Sequence, residues 1–61
     1  MPYFEVWVDL ARKEEVFRKL RDIFPEVYEA FYDYHFIVNA DSGEELSKVD
    51  GVKYVKSHYN C

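Results

Sequence analysis

The stretch Tyr3-Phe4-Glu5-Val6-Trp7-Val8-Asp9-Leu10 alternates without a break. Phe4, Val6, Val8 and Leu10 fall on one side, and Tyr3, Glu5, Trp7 and Asp9 on the other. Period two marks a strand with one face on a core and the other turned away from it. The inward set is uniformly apolar. The outward set holds a tryptophan and a tyrosine among carboxylates, and that mixture directs the search for function to the outer side.

Beyond this strand, Asp9 is a strong N-cap residue. Val16, Leu20, Ile23 and Phe24 then recur at i, i+4, i+7 and i+8, with Phe17 widening the stripe, as an amphipathic helix requires. Glu14 with Arg18 and Glu15 with Lys19 form i, i+4 pairs in the favourable order. Pro25 ends the helix, because the residue before a proline is pushed out of helical geometry.

Residues 26–40 change texture. Val27 to Tyr32 and His35 to Ala40 are rich in aromatic and β-branched side chains, which predicts a hairpin with a tight turn at Asp33-Tyr34. The facing of the first arm stays open: Val27, Glu29 and Phe31 alternate against Tyr28, Ala30 and Tyr32, and either set fits a core. Ser42-Gly43-Glu44-Glu45 matches the capping box, predicting a short helix from Glu44 to Val49 with Leu46 and Val49 as its apolar residues. Gly51 closes it in the left-handed conformation. Val52 to Ser57 is a last strand, and residues 58–61 are a tail.

The resulting order is strand, helix, strand, strand, helix, strand over a single domain, residues 1–61. That is the α+β, ferredoxin-like βαββαβ arrangement. It implies a four-stranded antiparallel sheet with two helices on one face, the second helix short. The first and third strands are central, and the lysines of the fourth suit an edge. Phe4, Val6, Val8, Phe36, Val38 and Ala40 are then expected beneath the helices. The uncovered face presents Tyr3, Trp7, His35 and Ile37, joined by Tyr28 and Tyr32 from strand two and by Lys53 and Val55 from strand four. An aromatic patch left exposed on a monomer is usually a contact surface. The expected protein-binding residues are therefore Tyr3, Trp7, Tyr28, Tyr32, His35, Ile37 and Val55.

Size and charge bear on the same question. A domain of 61 residues buries only about 60% of the surface its unfolded chain exposes, so its core is small. One cysteine, Cys61, cannot form an internal disulfide, and 20% aromatic residues point to ring packing, a partner, or both. The net charge of −4 is uneven: residues 12–22 carry a local +2 on an otherwise acidic body. Nucleic-acid binders want a coherent basic surface, which this distribution does not offer. No apolar run reaches membrane-spanning length and no signal-peptide pattern opens the chain, which favours a cytoplasmic domain over a secreted one.

Catalytic and metal constellations are hard to assemble. Glu14-Glu15 and Glu44-Glu45 are helix neighbours that point to different sides, which suits solvated charge better than acid–base work. His35, His58, Asp33 and Cys61 lack metal-ligand spacing, and two glycines cannot build a phosphate loop. The phosphate loop of acylphosphatases and the M-x-C-x-x-C of copper chaperones are both missing. No enzyme activity and no cofactor is implied. RNA-recognition domains stack bases on this same open face, but here Glu5 and Asp9 would share it with the phosphates.

His35-Phe36-Ile37-Val38-Asn39-Ala40-Asp41-Ser42-Gly43-Glu44-Glu45-Leu46, followed by Val49-Asp50-Gly51-Val52-Lys53-Tyr54-Val55, resembles the second half of subtilisin-type propeptides and their free-standing inhibitor relatives. The resemblance implies a non-enzymatic inhibitor or folding chaperone. Its sheet would pack on helices of a protease and its C-terminal tail would enter the active-site cleft. By position Trp7, Tyr28, Ile37 and Val55 would lie on the docking face, with Ser57 to Cys61 as the tail; Cys61 has no assigned place in that scheme. Three alternatives stay open: an acidic phage- or plasmid-type inhibitor that mimics nucleic acid through Glu26, Glu29, Asp33, Asp41, Glu44, Glu45 and Asp50; a homodimer that buries sheet on sheet; and a designed scaffold.

Overall fold

A computed structural model describes residues 2–30, 32 and 34–58. β1 (Tyr3–Val8) is the hub: β3 (His35–Asn39) pairs antiparallel on one side of it and β4 (Val52–His58) on the other. β2 (Val27–Glu29) adds to the outside of β3, giving the sheet order β2-β3-β1-β4. With α1 (Lys13–Ile23) and α2 (Gly43–Ser47) this is the ferredoxin-like α+β layout, with β1 and β3 central and the second helix short.

One core lies between the helices and the sheet. Val6, Val8, Phe36, Val38 and Ala40 meet Val16, Leu20 and Phe24 from α1 and its end, and Leu46 from α2. Phe4 and Val55 pack against its margin. The inward half of the alternation is thus as the sequence reads for Phe4, Val6 and Val8. Leu10 departs from it and is exposed, because the strand ends at Val8 and Leu10 opens a 3-10 turn. Phe17 stacks on Phe36 with ring centroids 5.1 Å apart, and the Arg21 guanidinium lies 5.5 Å from the Phe17 centroid. Ile23, read as part of the apolar stripe, is exposed. It is the last residue of α1, and the buried residues of that helix are Val16 and Leu20.

The entry to α1 is more complex than one N-cap. The Asp9 carboxylate accepts from the Ala11 amide and starts a 3-10 turn, Leu10–Arg12, before α1 begins. Phe24 is extended, as the following proline demands. At α2 the capping box forms as read, with the Glu45 carboxylate accepting from the Ser42 amide at 3.3 Å. The helix spans Gly43–Ser47 rather than Glu44 to Val49, and Val49 belongs to the turn that follows. The first arm of the expected hairpin is shorter too: β2 stops at Glu29, the Ala30 amide donates to the His35 carbonyl at 2.9 Å, and the His35 amide donates to the Tyr32 carbonyl at 3.0 Å. The proposed tight turn at Asp33-Tyr34 and the end of the first arm fall partly on Phe31 and Asp33, outside the described residues. So do residues 59–61 of the tail, including Cys61.

Arg12 ties the start of α1 to the turn before β4. Its Nη2 lies 2.6 Å from Glu15 Oε2 and 2.9 Å from Asp50 Oδ2, and Lys19 Nζ joins Glu15 at 3.1 Å. The hydrogen bond from Arg12 is the main cause holding the Glu15 carboxyl down to about 2, and the same guanidinium lowers Asp50. All three groups face water, so the network adds little stability, but its sign is fixed. Carboxyls depressed in the folded state stabilise above their ordinary range and lose that contribution as pH falls through the folded value. The stability difference between wild type and Arg12→Ala should therefore hold from about pH 8 to about pH 5 and shrink from there toward about pH 2. Urea titrations across that range measure it. A difference undiminished at the acid end would mean that Arg12 acts by packing instead.

Candidate functional site

The uncovered side of the sheet is set by register. Tyr3 pairs with Asn39 and His58, Glu5 with Ile37 and Lys56, Trp7 with His35 and Tyr54, and Tyr28 with Ile37. These side chains share one face because residues directly opposite in adjacent strands point the same way. The pairing Val27↔Val38 settles the facing of β2: Val27 is inward and Tyr28 outward.

Aromatic rings run across this face as a ladder. Trp7 lies flat on His35, with centroids 4.3 Å apart and planes 11° from parallel. Tyr54 tilts against the other flank of Trp7 at 5.2 Å. Beyond His35, Tyr32 is offset at 6.3 Å and itself stacks on Tyr34 at 5.4 Å. Tyr28, Tyr32 and Tyr54 are all more than half exposed, whereas Trp7 is half-buried. Stacked rings lose little further conformational freedom on binding, so the ladder is a pre-organised surface.

Two carboxylates sit within it. Glu5 Oε1 lies 3.1 Å from His35 Nε2, and Oε2 lies 3.4 Å from His58 Nδ1, so an imidazole from each neighbouring strand flanks the central strand's carboxylate. At one corner Glu26 Oε1 accepts from the hydroxyls of Tyr28 at 2.7 Å and Tyr3 at 3.1 Å, and Oε2 accepts from Asn39 Nδ2 at 3.4 Å. The hydrogen bond to this anion raises the Tyr28 hydroxyl above its usual range. Beside Glu5 lies a shallow groove of about 360 Å3, lined by Glu5, Glu29, Ala30, His35, Ile37 and His58.

The expected site residues fare unequally. Tyr3, Trp7, Tyr28 and Ile37 lie on the open face, and Tyr32 reaches its rim from the loop after β2. Val55 does not: it pairs with Val6 and packs inward. A β-bulge explains the error. Trp7 opposes Tyr54 while Val8 opposes Val52, leaving Lys53 as the extra residue, so Val52 and Val55 both face the core although three positions apart. Strict alternation had put Lys53 and Val55 on the open side; Tyr54, Lys56 and His58 stand there instead. His35 is on the expected side but only 4% exposed, covered by Trp7 and flanked by Tyr32, so it supports the surface rather than offering itself. Glu5, Glu26 and Tyr54 were missed as site residues. Glu5 could have been found from the sheet order, which brings both histidine-bearing strands against β1.

Among the described residues, no group of three or more His, Cys, Asp or Glu side chains could hold a metal ion, and no helix is long and apolar enough to cross a membrane. No protein-family model matches the chain, and neither a curated protein nor a solved structure is significantly similar to it.

Proposed function

We propose that this is a small non-enzymatic protein-binding module whose open sheet face docks a partner segment bearing basic side chains. The observation that carries the reading is the ring ladder Tyr54–Trp7–His35–Tyr32, stacked on a face that no element among the described residues covers. Aromatic residues dominate the energetics of interface centres. The carboxylates of Glu5 and Glu26 among the rings, on a chain of net charge −4, give the charge complement for a basic partner. Inhibition of a subtilisin-type protease is a narrower form of this reading, resting on the resemblance of residues 35–55 alone. Mimicry of nucleic acid is less well supported: Asp50 is paired with Arg12, Glu45 caps α2, and Glu26 accepts from two tyrosines.

Selection of displayed random dodecapeptides on the wild-type protein tests the proposal. Selected peptides should be enriched in arginine and lysine. They should bind Tyr54→Ser and Tyr28→Ser at least about tenfold more weakly, as expected when an interface aromatic is lost, and Arg21→Ala on the helix side unchanged. Both tyrosines are more than half exposed, so these variants keep the core. Peptides indifferent to both tyrosine changes would refute docking on this face.

A further inference from the structure

Resting on that reading, we infer that the groove beside Glu5 is the specificity pocket of the face, and that it receives a single arginine or lysine side chain of the partner. Its floor is apolar, from Ile37 and Ala30, and the carboxylate of Glu5 from β1 stands in its wall, whereas the register turns the Glu29 side chain to the helix side, opposite Phe36. An extended aliphatic stem with a cationic head matches that order of surfaces, since such side chains lay their methylenes on apolar ground and keep the charge at a polar end.

The hydrogen bonds already present leave the Glu5 carboxylate room for a further donor. His35 Nδ1 is buried without a hydrogen-bond partner. A proton there would be stranded, so the hydrogen belongs on Nε2, where Glu5 accepts it. His35 therefore orients the carboxylate through Nε2. His58 approaches the second oxygen from β4 at 3.4 Å. Lys56, opposite Glu5 in β4, makes no ion pair with it. A carboxylate oxygen has two acceptor sites, so both Glu5 oxygens keep capacity for an incoming donor. A guanidinium fork uses that capacity better than an ammonium, which orders the ligands with arginine ahead of lysine.

The test titrates 15N-labelled protein with hexa-arginine, hexa-lysine and hexa-citrulline, following amide shifts. Hexa-citrulline keeps the length and the stem but not the charge. Hexa-arginine should move the resonances of residues 5, 35, 37 and 58 together and bind more tightly than hexa-lysine, with hexa-citrulline weakest. Glu5→Gln should weaken hexa-arginine by about fivefold, the loss expected for one partly exposed ion pair. Glu44→Gln, which removes the same charge from α2 across the sheet, should change it less than twofold. Because glutamine preserves the acceptor for His35, Glu5→Gln retains the fold. Glu29→Gln, turned to the helix side, serves as a second control that should also change binding less than twofold. Equal weakening by Glu44→Gln, or equal binding of hexa-citrulline, would overturn the pocket. If the selected dodecapeptides still need Tyr54 and Tyr28 while Glu5 does not matter, the pocket fails and the docking face stands. If those peptides ignore the tyrosines as well, both fail.

Discussion

Leu46→Ala is expected to leave much of the protein unfolded at room temperature. α2 is five residues long, too short to persist by its own hydrogen bonds. Leu46 is its one buried residue and is fully enclosed in the core. Around it the packing is close: a Cβ on Gly43 would stand 3.4 Å from both Phe4 and Val55 side chains. Truncating a fully buried leucine costs roughly 2–5 kcal/mol, the upper end where the site cannot collapse. At roughly 0.05–0.15 kcal/mol per residue, a chain of this length has only about 3–9 kcal/mol in total. Without this anchor the helix should detach and uncover Phe4 and Val55. Urea unfolding followed by far-ultraviolet circular dichroism measures the loss. A change below about 1 kcal/mol would mean that α2 is not docked as described.

Gly51→Ala should be nearly as damaging, for two separable reasons. Gly51 has φ of 98°, a region that costs side-chain-bearing residues about 1–2 kcal/mol. A Cβ there would also collide with the Val16 side chain, in the middle of the buried face of α1. Forcing an atom into a packed site costs about 1–3 kcal/mol. The sum, about 2–5 kcal/mol, can be divided by a double-mutant cycle with Val16→Ala. If collision contributes, Gly51→Ala costs less in the Val16→Ala background by about 1 kcal/mol or more, and the remainder is backbone strain. Strict additivity would assign the whole cost to the backbone.

Much of this fold was legible because its signals are local. Alternation at Phe4, Val6 and Val8, the capping box at Ser42 and the stop at Pro25 act over a few residues, and each lies where the sequence places it. What escaped depends on neighbours distant in the chain. The inward turn of Val55 needs the bulge at Lys53, which is a property of the pair β1–β4 and not of β4 alone. The burial of His35 follows from the ring of Trp7 lying over it, 28 positions earlier. The same contact alters the meaning of a Trp7→Ala experiment: removing the ring uncovers a buried imidazole, so lost binding would be mixed with lost stability. Tyr54, more than half exposed, is the cleaner probe of the face. Glu5 sits in the stretch where the reading began, yet its two histidine neighbours come from residues 35 and 58 and meet it only once the strand order is fixed.

The bulge in β4 also bears on how anything can approach this sheet. An incoming chain that extended it would need an unbroken row of amides and carbonyls along an edge. The β2 edge offers only three residues, with Pro25 just ahead of them. The β4 edge is seven residues long but is interrupted at Lys53, with Lys56 three positions on, and both lysines are exposed. Irregularity and lysine are the devices by which edges resist strand addition. With both margins interrupted, strand addition is disfavoured at either edge, and the docking proposed above would have to cross the strands from the open face.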